Sequence, residues 1–380
     1  MRIPNFLGAA VASIALLPLI GNESGLLNAQ DGTRAVSPLN PGGSSDNKKK
    51  TTVQDEIKRL ISDKNVLRKY VQENINDPVF VSALASSPIY KVEAKDIELA
   101  IKNPNSYFAS GLAVNPGLRI TNELKDFAYK NQKTEFALGL VSNSNYVIAN
   151  EDKKFVRSNP DNGFANRLIS NSNYTIEAED LKIVRANPNS LIAYGFSMYN
   201  PNFKIERADI DIAKKNPDTI YALGVVQHKD YKLTKEDIKY ARENPDDLIS
   251  EGFVSNPGFT ITPKDITTAR ENPLSWFSSG LTIRPDYKIE PEDIKLARKA
   301  LSGQFVAGIT RNPNYKIDPV DVKLARDNVS HTFVFIVAHP TYRLEAEDLE
   351  IARKNPDKLF ADVFRERIAR EVEELTKNKK

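Results

Sequence analysis

Seven arginines and one lysine recur at one place along this chain: Arg157, Arg185, Lys214, Arg242, Arg270, Arg298, Arg326 and Arg353. A column of carboxylates keeps step with them, at Asp152, Asp180, Asp209, Asp237, Asp265, Asp293, Asp321 and Asp348. Lined up in a stack, the guanidinium groups would form a cationic track for an anionic partner, such as an acidic peptide or a charged glycan. Paired with the aspartates, or capping a neighbouring helix, they would be structural instead. The near-identical repetition favours pairing, as does the balance of 53 Lys and Arg against 50 Asp and Glu. Arg242, Arg270, Arg298 and Arg326 are kept as candidate partner-surface residues. A second column is aromatic, running through Tyr90, Tyr146, Tyr174 and Phe203. Its rings could stack sugars, but sealing a core while the hydroxyl reaches water is the favoured role.

Other chemistry is sparse. The chain has no cysteine, which excludes disulfides, thiolate nucleophiles and cysteine-based zinc sites. Of three histidines (His228, His331 and His339), the last two are eight apart with no third ligand nearby. There is no P-loop, dinucleotide fingerprint, nucleophile elbow or HExxH pattern. Neither catalysis, nor a cofactor, nor a metal is expected. Two sequons, Asn173-Tyr-Thr175 and Asn328-Val-Ser330, matter only in a glycosylating host.

The elements that position these columns come from one segment copied ten times, about 28 residues apart with single-residue slips. The copies open at Tyr90, Leu118, Tyr146, Tyr174, Phe203, Tyr231, Phe259, Tyr287, Tyr315 and Tyr342. A fixed period of that size signals a solenoid. In the copy from Tyr231 to Gly258, Thr234 reads as the N-cap and Asp237 as N3 of a first helix. Leu233 and Ile238 are spaced as a hydrophobic staple. Pro263, Pro291 and Pro319 suit N1 of the same helix in other copies. Asn244-Pro245 should stop that helix, with Asn capping a second helix that starts at once. Leu248, Ile249, Gly252 and Phe253 give the second helix one apolar face. The recurring glycine, as at Gly111, Gly139 and Gly252, predicts a close helix–helix approach, because glycine inside a helix costs about 1 kcal/mol.

The expected fold is all-α: a curved or twisted α-solenoid of about ten 28-residue helical hairpins, residues 90–358, between capping helices at 51–89 and 359–380. Ten stacked layers would span on the order of 100 Å. The apolar positions Phe364, Ile368, Val372 and Leu375 of the last helix suit a cap better than a coiled coil. Residues 1–29 read as a signal peptide or retained anchor, since Phe6 to Ile20 is an uncharged apolar run behind a basic start. Residues 30–50 read as a flexible linker.

Departures from the pattern mark a candidate contact surface. The stretch Thr332-Phe333-Val334-Phe335-Ile336-Val337-Ala338 is apolar all round, so Phe333, Phe335 and Ile336 either sit in a thicker core or meet a partner. The pattern D-I-x-x-A-R-x-N-P-x-x-L, as at Asp237 to Leu248, resembles the repeat of mitochondrial transcription termination factors. That resemblance implies nucleic-acid binding on a basic groove. The balanced charge and export-type N-terminus oppose that function, and it is not carried over. The expectation is an exported, non-enzymatic scaffold for a protein partner in the cell envelope or outside the cell. The alternative is a glycan- or cell-wall-binding surface protein, which requires exposed rings at the copy openings. Any membrane contact would run through the N-terminal segment alone.

Overall fold

The computed structural model describes residues 52–300, 303–327, 336–339, 341–354 and 358–377. The signal and linker segments, with Phe333 and Phe335, lie outside the described residues. Helix α1 (Val53–Ile61) precedes a series of helix pairs. The first four are α2 and α3 (Lys64–Glu73, Val81–Ser86), α4 and α5 (Ala94–Lys102, Tyr107–Ala113), α6 and α7 (Asn122–Lys130, Glu135–Ser142), and α8 and α9 (Asn150–Ser158, Gly163–Ser170). Next come α10 and α11 (Ala178–Ala186, Leu191–Tyr199), α12 and α13 (Arg207–Lys215, Ile220–Gln227), and α14 and α15 (Lys235–Glu243, Leu248–Ser255). Then follow α16 and α17 (Pro263–Glu271, Trp276–Thr282), and α18 and α19 (Pro291–Ala300, Gln304–Arg311). Helix α20 (Pro319–Asp327), a helical turn at 336–338, α21 (Ala346–Lys354) and the long α22 (Lys358–Lys377) complete the described chain. All described regular structure is helical, and neighbouring helices pack in sequence order. None of these helices is long and apolar enough to cross a membrane.

Local chemistry sets the helix starts. The Thr234 hydroxyl accepts the Asp237 N–H at 3.2 Å, and the Asp237 carboxylate accepts the Thr234 N–H at 2.9 Å, a closed capping box. Proline opens α16, α18 and α20. The junction works differently from the expectation. Asn244 caps the end of α14, its side-chain amide donating to the Tyr240 carbonyl at 3.0 Å. It does not cap α15, because the chain must reverse before the second helix can pack antiparallel. Three residues further on sits the true N-cap, as at Ser106, Thr134, Ser190, Thr219 and Ser275.

Second helices approach each other along their whole length, whereas first helices barely touch and are bridged by long side chains. Two rows with equal membership and unequal spacing must bend, with the tighter row on the concave side. The glycines permit the tight spacing. A Cβ on Gly111 would collide with the Ser82 carbonyl, and one on Gly280 would stand 2.5 Å from the Glu251 carbonyl. The bend brings the chain ends together. Helix α22 packs on α3 and α1, and the Gln54 amide donates to Glu371 at 3.1 Å. Phe364, Ile368 and Val372 are buried in the same continuous core as Val53, Ile57 and Leu84. A curved or twisted stack was the expectation; the contact between its two ends is what the sequence did not predict.

Candidate functional site

The columns that look chemical in the sequence are consumed inside this frame. Arg242 Nε donates to Asp265 at 2.8 Å, Arg270 to Asp293 at 2.7 Å, Arg298 to Asp321 at 2.8 Å and Arg326 to Asp348 at 2.8 Å. In every case the aspartate belongs to the next copy and is buried. Each aspartate also accepts its own N-cap N–H, for example Glu345 N–H to Asp348 at 2.8 Å. Tyr90, Tyr146, Tyr231 and Tyr342 supply a third donor, the Tyr342 hydroxyl reaching Asp348 at 2.7 Å. The opening rings are buried, and the hydroxyls of these four bond carboxylate rather than water.

Burial opposes ionisation of Asp209, but hydrogen bonds from Arg185, Tyr221 and the Glu206 backbone outweigh it and hold the carboxyl below its ordinary range. Asp237 and Asp265 shift the same way for the same reasons, through Lys214 and Arg242 respectively. Burial next to these carboxylates pushes the tyrosines well up.

Exceptions confirm that ring, carboxylate and cation act as one unit. At Leu118 and Leu124 both ring hydroxyl and carboxylate are absent, and the preceding copy holds Ile101 where the arginine belongs. Phe203 lacks a hydroxyl, and Tyr221 reaches Asp209 at 2.6 Å from the second helix instead. Tyr129 takes the arginine place and bonds Asp152 at 2.5 Å. Lys214 reaches Asp237 at 2.6 Å but leaves a cavity of about 130 Å³ beside Tyr240, Ile249 and Phe253.

A further column clamps the second helices. The Asn143 amide donates to the Ala113 and Asn115 carbonyls of the preceding copy at 2.7 and 3.0 Å, and Asn171 and Asn312 do likewise. These bonds satisfy carbonyls at a helix C-terminus, which lack intrahelical partners. His228 and His339 occupy this column, with Nε2 facing the Phe203 and Asn312 carbonyls at 3.1 and 3.3 Å. Their role is structural. His331 lies outside the described residues. Among the described residues, no three His, Asp or Glu side chains stand together as a metal site.

Of the apolar candidates, Ile336 is 1% exposed and belongs to the core. Phe333 falls in the repeat column of Phe108, Phe136, Phe277 and Phe305, all of which are buried.

What remains variable is the stripe of each second helix that faces away from the first-helix row, at positions i, i+3 and i+7. It reads Tyr107 and Ser110 in α5, with Val114 just past its end, but Leu248, Glu251 and Ser255 in α15. From α3 to α19, the second helices contain only four charged residues: Glu135, Arg167, Glu251 and Arg311. In α13, α15 and α17 this stripe carries an apolar cluster separate from the main core: Leu223 and Leu248, with Ile220 and Trp276 packed on them. Beside it, Glu251 accepts the Ser279 hydroxyl at 2.9 Å, and Arg311 donates to the same hydroxyl at 2.9 Å. Burial raises the Glu251 carboxyl and lowers the Arg311 guanidinium, so neither presents a free charge at ordinary solvation. Sequence reasoning passed over this cluster. The signal available was the chain's single tryptophan standing at a position that changes from copy to copy. No family model, curated protein or solved structure matches this chain.

Proposed function

We propose that this chain is an exported, non-enzymatic repeat scaffold that holds a protein partner against the concave row of its second helices. In this reading about ten 28-residue hairpins form the frame, α1 to α3 begin it and α22 ends it. The observation that carries the proposal is the division of labour between positions. Constant polar columns are spent on joining copies, while the variable stripe carries the separate apolar cluster of Ile220, Leu223, Leu248 and Trp276. Leu223 and Leu248 are themselves buried, so the face a partner would meet is the half-buried Ile220 and Trp276 seated on them, and an apolar patch with an aromatic anchor is the usual centre of a protein contact. Export rests on the apolar run Phe6 to Ile20 behind a basic start. The glycan alternative loses its main support, because the opening rings it needs are buried.

Trp276 is the only tryptophan, so its fluorescence reports directly on the cluster. The test is crosslinking in the native cell and capture of the tagged full-length protein, repeated with Trp276→Ser and Ile220→Ser in chains checked for folding. A reproducible envelope protein, lost in both variants and shifting Trp276 emission when added to the pure protein, is the expected result. Retention on purified cell-wall glycan with no protein partner would overturn it.

A further inference from the structure

The joint between the two chain ends is built from different parts than the others. Within the series, an arginine, lysine or tyrosine meets a buried aspartate at 2.5 to 2.8 Å, as in Arg68 to Asp96 and Arg157 to Asp180, except at the joint where Ile101 and Leu124 stand in those two places. Arg353 is the last cation of that column. The third residue of α2, where its aspartate would stand, is Val66. Arg353 turns instead to Asp77 in the turn before α3, at 3.6 Å, and lies over the Phe80 ring at 5.7 Å. It remains 40% exposed, and a cleft of about 560 Å³ lined by Glu56, Tyr70, Asp77 and Arg353 stays open beside it. The clamp column is also altered: Ser87 accepts the local bond from the Ile89 N–H, at 3.4 Å, as the asparagines of the column do, but has no side-chain amide to donate to a neighbouring copy. Asp77 is largely buried and accepts the Tyr70 hydroxyl at 2.6 Å and the Val79 N–H at 2.9 Å, so this joint differs in the cation: at 3.6 Å Arg353 makes none of the short charge-assisted bonds of the regular joints and contributes little.

We propose that this seam is a clasp: the closed form opens where α21 and α22 meet α1 to α3, while every other joint stays shut. Opening separates the apolar face of α22 from α3 and gives a partner sideways access to the concave stripe. The device goes beyond the scaffold reading, and its test needs no partner.

The chain has no cysteine, so spin labels at Lys58→Cys and Glu374→Cys, both on exposed positions of the full-length protein, report the seam alone. The expected distance distribution has a short main population and a long minor one. Arg353→Ala combined with Gln54→Ala raises the long population roughly three- to ten-fold. Arg270→Ala, at a regular joint, lowers the melting temperature but leaves the distribution unchanged. Amide exchange in α1 and α22 should run at least about ten-fold faster than in α15 and α17. A single short distance in every variant, with α22 protected as well as α15, would overturn the clasp. So would a long population that grows equally with Arg270→Ala.

Discussion

At the scale of single residues, the joints depend on filling the acceptors of a buried carboxylate. Asp209 draws its hydroxyl donor from Tyr221, because Phe203 stands where seven of the ten copies carry tyrosine. Tyr221→Phe should therefore cost about 1–2 kcal/mol. Adding Phe203→Tyr should recover most of that loss, yet bring no gain in the wild-type background, where Asp209 is already supplied. Chemical denaturation of the two single variants and the double variant measures this, and additive effects would refute the shared role. Lys214→Arg should add stability, about 1 kcal/mol, by converting one bond into two and filling the neighbouring cavity. The same chemistry sets the pH response. Burial lowers the proton affinity of His339 from its ordinary 6.5, helped by the nearby Arg367 charge and opposed by the bond to the Asn312 carbonyl. Unfolding then takes up a proton as pH falls below that value, and some stability is lost. Asp209, Asp237 and Asp265 titrate in the folded state below their ordinary 3.8, so their contribution is complete above that value and drains away below it. Melting temperature should fall in two stages, a shallow one beginning near pH 6.5 and a steep one below about pH 4. His339→Asn, which installs the usual occupant of the clamp column, should remove the first stage and leave the second.

Individual helices were largely legible in the sequence, because caps are local chemistry. Thr234 with Asp237 and the prolines of α16, α18 and α20 mark starts that the structure places at the same residues. The junction was misread for a physical reason. Asparagine suits both ends of a helix, and only the antiparallel return decides which end it serves. The recurring glycines were read correctly as packing positions, and substitution can separate them from Gly163, which stands outside that column. Gly280 faces the Glu251 backbone, and alanine there gains up to about 1 kcal/mol of helix propensity but must push the neighbouring helix away. A net loss of about 1–2 kcal/mol is expected. Gly163, at the first position of α9, has nothing within 4 Å of an added Cβ. Gly163→Ala should be neutral or stabilising by up to about 1 kcal/mol. Thermal unfolding of the pair reads the sign of each change, and a stabilising Gly280→Ala would mean that the second helices are spaced more loosely than described.

For the whole molecule, a curved or twisted stack was legible in the repeat, but the amount of curvature was not, since it depends on a small rotation at each joint that no single copy encodes. Neither was the concave cluster, whose members Ile220, Leu223, Leu248 and Trp276 meet only once neighbouring helices are stacked. Closure has a consequence for chain connectivity that an open stack would not share. The Gln54 side chain bonds Glu371 at 3.1 Å, and α22 continues only to Lys377, about 9 Å further at 1.5 Å per helical residue. A Gly/Ser linker of roughly ten residues can therefore join Lys377 to Thr52. New termini can be cut between Pro257 and Gly258, an exposed turn between two copies. This circular permutant should fold with the helical content of the parent and melt within a few degrees of it. Ends on the order of 100 Å apart, as in an open array, would need about 30 extended residues to bridge. In that case the short linker would leave the terminal copies unfolded. Circular dichroism and thermal melting of the permutant with the short linker distinguish the two arrangements. A folded protein requires the closed ring, while loss of about two copies' worth of helix, restored by a linker of more than about 30 residues, would require the open one.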